Sequence, residues 1–331
     1  MIVTVTPNPS IDRTVTLATP LTRGAVHRVT SAISEPGGKG VNVARALTMA
    51  GLDTLAVLPA ADTDPIVSAL QASGVSFRCV PVTGAVRTNV AITETDGTTT
   101  KLNEPGALLD DTARAALTRA VVDAAASAAW VVLSGSLPPG LPDTWYAEVV
   151  AMLAAAPCKV AVDTSERPLA ALADAFGTAA PDVIKPNAEE LAGLVGASAE
   201  ALENAATAGD PEPVVTAAHQ LIERGARSVL VTLGAAGAVL VDASGAWMAT
   251  PPPITPRSTV GAGDSSLAGY IRAEAGGAPP PQRLQMAVAY GSAAAALPGS
   301  ALPSPGQIDL DAVALYAITP SPTNAQSSTR K

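Results

Sequence analysis

Short apolar runs alternate with longer Ala- and Leu-rich segments along most of the 331-residue chain. The short runs are rich in β-branched residues and predict buried strands, whereas the longer segments predict helices that cover a sheet. The predicted strands are Ile2–Thr6, Leu55–Leu58, Trp130–Leu133, Lys159–Val162, Val183–Lys185 and Ser228–Leu233. The predicted helices include Val41–Ala50, Asp110–Ala126, Trp145–Ala155, Ala188–Val195 and Pro213–Arg224. This alternation predicts an α/β fold with a mostly parallel sheet covered on both faces, in which ligands bind beyond the carboxyl ends of the strands.

Two regions depart from this alternation, residues 12–34 and residues 86–102. Polar and apolar residues alternate there, and Asp96-Gly97 favours a tight hairpin turn, so we predict antiparallel strands with one solvated face. Such a small sheet buries little by itself, which favours a lid over the core, a dimer contact or both. An edge hairpin on the main sheet is the alternative. The predicted core comprises residues 1–11, 35–85 and 103–319, and the Ser/Thr/Pro-rich residues 320–331 are predicted to be disordered.

Composition argues against several classes of function. A net charge of −9 does not suit a general nucleic-acid or membrane-surface protein, although a few basic groups can still bind an anionic small molecule in one cleft. The two cysteines, Cys79 and Cys158, are expected to be reduced thiols, and the two histidines support neither a zinc motif nor a catalytic triad. The apolar runs are too short for a membrane span and no signal-peptide pattern is present, so we expect a cytoplasmic protein.

The segment Ser258–Gly269 (Ser-Thr-Val-Gly-Ala-Gly-Asp-Ser-Ser-Leu-Ala-Gly) carries the strongest chemical signal. The small residues Gly261–Gly263 precede Asp264, which opens an apolar run compatible with a helix. Backbone N–H groups at the start of a helix attract anions, whereas a carboxylate beside them repels a phosphate that merely binds. The pattern fits phosphoryl transfer, in which the N–H groups hold the transferred group and Asp264 accepts a hydroxyl proton. A turn that ends in an Asp helix cap is the alternative.

A second glycine-rich segment is Glu35-Pro-Gly-Gly-Lys-Gly-Val-Asn42. Its glycines allow a ligand to approach the backbone closely, and the predicted helix behind it points its N-terminus at that ligand. It is not a Walker A loop, because Lys39 is followed by Gly instead of Ser or Thr. Asn42 would lie one turn into the helix, within reach of sugar hydroxyls. An ordinary glycine-rich turn between a strand and a helix is the alternative.

Further polar segments follow the predicted strands. Asp12 suits vicinal sugar hydroxyls, or it stabilises its own turn, and the segment Ser134-Gly-Ser136 lies just beyond a buried strand. Asn187 and Glu190 lie one turn apart at a helix start, a spacing that suits the placing of a hydrated Mg²⁺, and a helix cap is the competing account of Asn187. The segment Thr232–Gly237 (Thr-Leu-Gly-Ala-Ala-Gly) suits a nucleotide site lined by backbone.

Taken together, these segments resemble the ribokinase-like sugar kinases of the phosphofructokinase-B family. The two signatures of that family correspond here to Gly-Gly-Lys-Gly-Val-Asn42 and Ser-Thr-Val-Gly-Ala-Gly-Asp264. The resemblance extends from about Ile2 to Tyr316 and implies a three-layer α/β/α ribokinase-like fold with a small β-sheet lid. The further segments that fit the phosphosugar kinases of the family are Thr-Val-Thr-Pro-Asn-Pro-Ser-Ile-Asp12, Arg87-Thr-Asn89-Val, Lys101-Leu-Asn-Glu-Pro-Gly106, Ser134-Gly-Ser-Leu-Pro-Pro-Gly140 and Lys185-Pro-Asn187.

The resemblance implies a role for each of these segments. It implies that Asp264 is the general base and that Gly261, Ala262 and Gly263 form the anion hole for the transferred phosphoryl group. The residues expected to bind the phosphosugar are Asp12, Gly38, Asn42, Asn103 and Ser136 for the sugar, and Lys39, Arg87 and Lys101 for its phosphate. The residues expected to line the ATP site are Lys185, Asn187, Thr232, Gly234, Gly237 and Ser292. Glu190 would help to place Mg²⁺ through water.

The same resemblance implies an ATP-dependent kinase that phosphorylates fructose 1-phosphate at its C6 hydroxyl to give fructose 1,6-bisphosphate. Lys39 and the Lys101-Leu-Asn-Glu-Pro-Gly stretch favour this substrate by analogy, with tagatose 6-phosphate and fructose 6-phosphate as alternatives. A non-catalytic sugar-phosphate sensor on the same fold is the alternative from another class, and Asp264 argues against it because binding alone needs no base. The family also suggests a homodimer through the lid sheet, and it leaves a monovalent cation near the anion hole as an open question.

Overall fold

The computed structural model describes residues 1–318, so the disorder predicted for residues 320–331 lies outside the described residues. In chain order the strands are β1 (Ile2–Val5), β2 (Ser10–Leu17), β3 (Val29–Gly37), β4 (Thr54–Pro59), β5 (Phe77–Val80), β6 (Arg87–Thr93), β7 (Thr99–Asn103), β8 (Trp130–Ser134), β9 (Lys159–Asp163), β10 (Val183–Ile184), β11 (Ser228–Thr232), β12 (Ala238–Asp242), β13 (Gly245–Thr250) and β14 (Ala314–Ile318). The helices are α1 (Lys39–Met49), α2 (Pro65–Ala72), α3 (Asp111–Ala125), α4 (Trp145–Leu153), α5 (Glu166–Asp174), α6 (Ala188–Val195), α7 (Ala199–Thr207), α8 (Glu212–Glu223), α9 (Ala262–Ala275) and α10 (Pro280–Ala295), with 3₁₀ turns at Gly234–Ala236 and Pro305–Gln307.

Within residues 1–318, ten strands form one large sheet in the order β14-β13-β12-β11-β10-β9-β8-β1-β4-β5. The neighbouring pairs from β5 to β11 are parallel, as the alternation of strands and helices predicts. Antiparallel pairs then add β12, β13 and β14, an extension that the sequence analysis missed. Because β1, β8, β9, β10 and β11 run in the same direction, the loops that follow them meet at one edge of the sheet.

Strand residues alternate between two helical layers. Val131 and Leu133 of β8 pack with residues of α3 to α8, whereas Trp130 and Val132 pack with residues of α1, α9 and α10. Successive side chains of a strand leave opposite faces, so both faces of this sheet are buried. The predicted three-layer α/β/α fold is therefore confirmed. None of the helices described between residues 1 and 318 is both long and apolar enough to cross a lipid bilayer.

The remaining four strands form a separate sheet in the order β3-β2-β6-β7, which we call the lid sheet. Its pairs β2–β3 and β6–β7 are antiparallel, but β2 and β6 are parallel, so the prediction of antiparallel strands throughout was wrong. The physical reason is that the chain leaves the lid sheet after β3, passes through α1 to β5 in the core, and enters β6 in the same direction as β2. The alternative of an edge hairpin on the main sheet is also excluded, because these four strands pair with one another.

The register of the lid sheet separates a polar face from an apolar face. Asp12 pairs with Glu35 and Asn89, and Asn89 pairs with Asn103, so these four residues form one row across the sheet. Paired residues share a face, and the row carrying Arg87 and the row carrying Lys101 lie on either side of this one on the same face. The opposite face carries the apolar residues Val15, Val90, Ile92 and Leu102.

Candidate active site

The N-terminus of α9 has the geometry expected of an anion-binding nest. Its N-cap is Gly261, with φ 76° and ψ −3°, a left-handed conformation that costs little only for glycine. The N–H groups of Gly263 and Asp264 lie in the first turn, where no intrahelical acceptor exists. Asp264 is the third residue of the helix and not its cap, so the helix-cap alternative was wrong. A Cβ atom at Gly263 would lie 3.2 Å from Nζ of Lys185, which places this ammonium beside the nest.

The Asp264 carboxylate is buried between α9 and α1. Its Oδ2 accepts a hydrogen bond of 2.9 Å from Nδ2 of Asn42, which α1 presents from its first turn. Burial and the nearby charge of Asp163 raise the pKa of Asp264 to about 6, although Lys39, Asn42 and Lys185 act in the opposite direction. A carboxyl group with this pKa is ionised at neutral pH and still accepts a proton more readily than an exposed aspartate. Asp264 therefore combines a buried position at the start of α9 with a basicity above that of an exposed aspartate.

Asp163, at the carboxyl end of β9, was not predicted as a site residue. Its buried carboxylate lies 2.8 Å from Nζ of Lys39 through Oδ1 and 3.2 Å from Nζ of Lys185 through Oδ2. Burial raises the pKa of Asp163, but the two ammonium groups outweigh it and hold that pKa below the ordinary value. Burial likewise disfavours the charged form of Lys39, and the charges of Asp163 and Asp264 outweigh it and raise the pKa of Lys39. Lys39 is therefore charged.

The Asp12 carboxylate is held in one orientation on the polar face of the lid sheet. Its Oδ1 accepts hydrogen bonds from Oγ of Ser10, at 2.7 Å, and from Nδ2 of Asn89, at 2.9 Å. The carboxylate also lies against the Cα of Gly37, where any Cβ atom would overlap it. Oδ2 remains available to a ligand.

Among the buried polar atoms near this face that have no hydrogen-bond partner within the protein, two lie on residues predicted to bind the substrate, Arg87 and Asn42. The Nη1 of Arg87 donates to the backbone oxygen of Glu104 at 3.2 Å, but its Nε is buried without a hydrogen-bond partner. Burial lowers the pKa of Arg87, against the opposing effect of Asp12 and Glu104. The Oδ1 of Asn42 is also buried and unpartnered. Because buried polar atoms are nearly always paired in folded proteins, these two mark places where a polar ligand fits.

The loops around Asn8 complete the same cleft. Asn8 donates to the backbone oxygen of Pro105 at 3.0 Å and to Oγ of Ser136 at 3.2 Å, so it joins the loop after β7 to the loop after β8. Gly38 caps α1 with φ 99°, and a Cβ atom there would lie 2.6 Å from Cγ2 of Thr6. The predicted residues Lys101 and Asn103 are exposed on β7.

Comparison with known proteins gives the family. Residues 5–306 match the family described as pfkB family carbohydrate kinase. The chain belongs to this family. It is 36% identical to the 1-phosphofructokinase of Rhodobacter capsulatus over 93% of this chain and 94% of the relative, and 33% identical to the ATP-dependent 6-phosphofructokinase isozyme 2 of Escherichia coli over 91% and 94%.

Solved structures agree with this assignment. Phosphofructokinase-2 from Escherichia coli in complex with substrates and products superposes with a TM-score of 0.83 and 30% identity, over 93% of this chain and 96% of that chain. The same enzyme has been solved in complex with potassium and in a tetrameric inhibited form. The chain is therefore a carbohydrate kinase.

Except for Ser292 in α10, the residues predicted to line the nucleotide site of this kinase lie at the end of β11 or just beyond β10 and β11. Asn187 is the N-cap of α6 and accepts from the Glu190 N–H at 2.8 Å, while the Glu190 side chain accepts from the Asn187 N–H at 2.9 Å. This capping box supports the helix-cap alternative for both residues. Thr232, at the end of β11, forms a β-bridge with Asn187. The described residues contain no group of three or more His, Cys, Asp or Glu side chains that could hold a metal ion.

The two glycines after β11 differ in what surrounds them. Gly234 has φ 57° and open space where its Cβ would lie, so a ligand can approach the backbone there. Gly237 has φ 98°, and a Cβ atom would overlap the backbone oxygen of Ala249, so packing on β13 already requires a glycine. Ser292 lies half-buried in α10, next to Gly291, which contacts Ser266 of α9.

Five residues of this site were not predicted as site residues in the sequence analysis: Asn8, Ser10, Gly37, Asn89 and Asp163. Ser10 and Gly37 lie inside segments already identified, but their role is to hold Asp12, which appears only when β2 and β3 pair. Asp163 had a usable signal, because it directly follows the predicted buried strand Lys159–Val162 at the edge where ligands bind.

Proposed function

We propose that this protein transfers the γ-phosphoryl group of ATP to the C6 hydroxyl of fructose 1-phosphate. The observation that carries the proposal is the pairing of a buried, basic Asp264 with a left-handed glycine nest and the Lys185 ammonium at one helix start. A base is of use when a hydroxyl must lose its proton, and the nest is of use when negative charge develops on a phosphoryl group. Relatives named 1-phosphofructokinase support the choice of sugar.

On the sugar side, the lid sheet and the first turn of α1 supply the groups that orient the substrate. The free Oδ2 of Asp12 and the unpartnered Oδ1 of Asn42 accept hydrogen bonds from sugar hydroxyls. The Nε of Arg87, buried and without a partner, donates to the phosphate already on the sugar, with Lys39 and Lys101 as further cations. Gly38, Asn103 and Ser136 complete the proposed sugar site.

On the nucleotide side, bound ATP supplies the phosphoryl group and Mg²⁺ screens its charge. The residues fit this group, because the N–H groups of the nest, the Lys185 ammonium and the open backbone at Gly234 all suit phosphate oxygens. Mg²⁺ keeps several waters and is usually held by few carboxylates together with phosphates, which agrees with the absence of an acidic cluster from the described residues. Asn187, Thr232, Gly237 and Ser292 are proposed to line the same site.

Initial rates with fructose 1-phosphate, fructose 6-phosphate and tagatose 6-phosphate at saturating ATP test the proposal. We expect kcat/KM to be highest for fructose 1-phosphate. The similarity to an ATP-dependent 6-phosphofructokinase makes fructose 6-phosphate the second candidate, and a higher kcat/KM for either 6-phosphate would show that the substrate is wrong. Binding of a phosphosugar without turnover of any of the three would indicate a sensor. Rates measured with and without potassium test whether the reaction depends on a monovalent cation.

The pKa of Asp264 gives an expected pH dependence. A base must be ionised to accept a proton, so kcat/KM for the sugar should fall as the pH drops through about 6, where Asp264 becomes protonated. An exposed aspartate would place this decline near pH 4. The measurement is kcat/KM between about pH 5 and pH 8 at constant ionic strength, with recovery of activity at neutral pH as the control for acid inactivation. A flat profile down to pH 5 would contradict the assignment of the base.

The proposed role of Glu190 in placing Mg²⁺ can be separated from its role in the capping box. Glutamine serves in a capping box as well as glutamate does, so Glu190→Gln should unfold at the wild-type temperature. Its lost charge should raise the Mg²⁺ concentration for half-maximal rate several-fold, because water-mediated placing of a cation depends on that charge. The negative charge of Glu190 does reach the site, where it helps to raise the pKa of Lys39. An unchanged Mg²⁺ dependence would leave the cap as its only role.

The apolar face of the lid sheet is the proposed contact in a homodimer. Leu102 is 57% exposed on this face, beside the partly exposed Val15, Val90 and Ile92. A charge buried in an apolar interface is costly, so Leu102→Asp should shift the protein from dimer to monomer in sedimentation velocity. The control is Met152→Asp, because Met152 is equally exposed, at 56%, on α4 of the core. An unchanged dimer in Leu102→Asp, or a monomeric wild type, would contradict this interface.

A further inference from the structure

Asp163 joins two lysines that reach it from different parts of the chain. Lys39 comes from the first residue of α1 and Lys185 from the residue after β10, and each ammonium faces a different oxygen of the same carboxylate. The Asp163 side chain has no exposed surface, and only 5% of the Lys185 side chain is exposed. Asp163 belongs to neither glycine-rich segment and to none of the residues assigned above to sugar, phosphate or nucleotide.

The physical need for Asp163 follows from this burial. An ammonium removed from water costs several kcal/mol unless an opposite charge lies beside it. Lys185 is nearly inaccessible to solvent, and the Asp163 carboxylate lies beside its ammonium group. One carboxylate that serves two ammonium groups also fixes the distance between them, because its two oxygens lie about 2.2 Å apart in a rigid plane.

We infer that Asp163 is a positioning residue that sets the two ammonium groups on either side of Asp264, Lys39 at the sugar end and Lys185 at the nest. The inference rests on the proposed function and deepens it. Lys39 lies within the glycine-rich segment that begins α1 and leads into the sugar cleft, whereas Lys185 lies against Gly263 in the nest. Asp163 itself touches no substrate. It acts through the lysines and through its charge on the base.

The charge of Asp163 provides a readout that a purely structural residue would not affect. The groups that face Asp264 are Lys39 and Asn42 from α1, Asp163 from β9 and Lys185 beyond β10. Of these, Asp163 alone favours the protonated form of Asp264, while the other three favour the ionised form. Removing the charge of Asp163 must therefore lower the pKa of Asp264 and move the acidic decline of kcat/KM to lower pH.

The test compares two substitutions that separate charge from position. Asp163→Asn keeps the shape and removes the charge, so the acidic decline should shift down by about one pH unit and kcat/KM at neutral pH should fall about 100-fold as both lysines lose their anchor. Asp163→Glu keeps the charge and displaces the oxygens by one methylene, so kcat/KM should fall at least about tenfold while the decline stays near pH 6. KM for both substrates should rise in each variant.

The control is Glu274→Gln. Glu274 pairs with Lys159, the first residue of β9, whereas Asp163 is the last residue of the same strand. Loss of this pair should lower stability without any shift of the pH profile. If Asp163→Asn does not fold, Asp163→Glu carries the test, and normal kcat/KM in that variant overturns the inference.

The two possible failures are distinguishable. Wild-type protein without turnover of fructose 1-phosphate contradicts the proposed function. Wild-type turnover together with a wild-type pH profile and kcat/KM within twofold in Asp163→Asn contradicts the role of Asp163 alone. A loss of activity in Asp163→Asn that follows its unfolding temperature, with an unshifted profile like that of Glu274→Gln, also overturns it, because Asp163 would then only stabilise the fold.

Discussion

The Asp264→Asn variant is expected to lose about 10³- to 10⁴-fold in kcat while it becomes more resistant to unfolding. Asparagine has the shape of aspartate and fits beside Asn42, but it cannot accept the proton of the attacking hydroxyl. Binding of ATP and of the phosphosugar should change little, because the nest, Lys185 and the lid sheet are untouched. Single-turnover kinetics with fructose 1-phosphate and ATP measures the loss, and titration calorimetry measures the binding.

The gain in stability follows from the raised pKa of Asp264. The pKa of Asp264 in the folded state, about 6, lies above the ordinary value of 3.8. At any pH above about 6, folding therefore places an ionised carboxylate in surroundings that favour its protonated form. A rise of about two units corresponds to about 3 kcal/mol, an upper limit for what the neutral Asn can recover at pH 7. As the pH falls from about 6 to about 4, wild-type Asp264 becomes protonated and the advantage of the variant disappears. Chemical denaturation at pH 7 and pH 4 checks the sign.

Asp110→Asn is the matched control for Asp264→Asn. Asp110 also lies at the start of a helix, where it caps α3 by accepting from the Ala113 N–H at 2.8 Å, and Asn is as good a cap. We expect wild-type kcat and nearly wild-type stability. If Asp264→Asn keeps near-normal turnover, the base is another group. If it loses both turnover and stability, the carboxylate contributes to the fold more than its raised pKa implies.

Apart from the edge strand β5, which is only partly buried and was missed, the parallel part of the sheet could be predicted from the sequence because its strands are buried on both faces and read as short apolar runs. The extension by β12 to β14 was missed: Ala238–Asp242 and Gly245–Thr250 follow directly on the glycine-rich segment Thr232–Gly237, and Ala314–Ile318 lies far along the chain. Local sequence patterns also cannot show whether two paired strands run parallel or antiparallel. The parallel contact of β2 with β6 depends on the route of the chain through the core.

The candidate site shows the same division. The glycine nest, Asp264 and Arg87 were predicted as site residues because each lies in a segment with a local signature. Asp163 was not: its place after a predicted buried strand was overlooked, and its ion pair with Lys39 joins residues 124 positions apart. Glu190 was assigned to Mg²⁺, although its hydrogen bonds are those of the capping box with Asn187. A spacing of three residues at a helix start suits both metal placing and helix capping, so the sequence does not separate the two.

A second large effect is expected for Gly37→Ala, which should lower kcat/KM for the phosphosugar about 100-fold and leave KM for ATP unchanged. Gly37 ends β3 with an ordinary backbone, so its role is steric and not conformational. A Cβ atom there would overlap the Asp12 carboxylate and push it off the Ser10 hydroxyl and the Asn89 amide. The displaced carboxylate can no longer orient the sugar. Initial rates at varied concentrations of phosphosugar and of ATP measure kcat/KM for the sugar and KM for ATP separately.

A double-mutant cycle shows whether this effect passes through Asp12. Gly37→Ala should cost about 100-fold in the wild type but little in an Asp12→Ala background, because the carboxylate that it displaces is already gone. Gly193→Ala is the control, since Gly193 lies inside α6 with no atom within 4 Å of the added methyl group and should only favour the helix. Equal losses in both backgrounds would mean that Gly37 serves the site in some other way. Such a result would remove the support that Gly37 gives to placing Asp12 against the substrate, and it would leave the base and the nest unaffected.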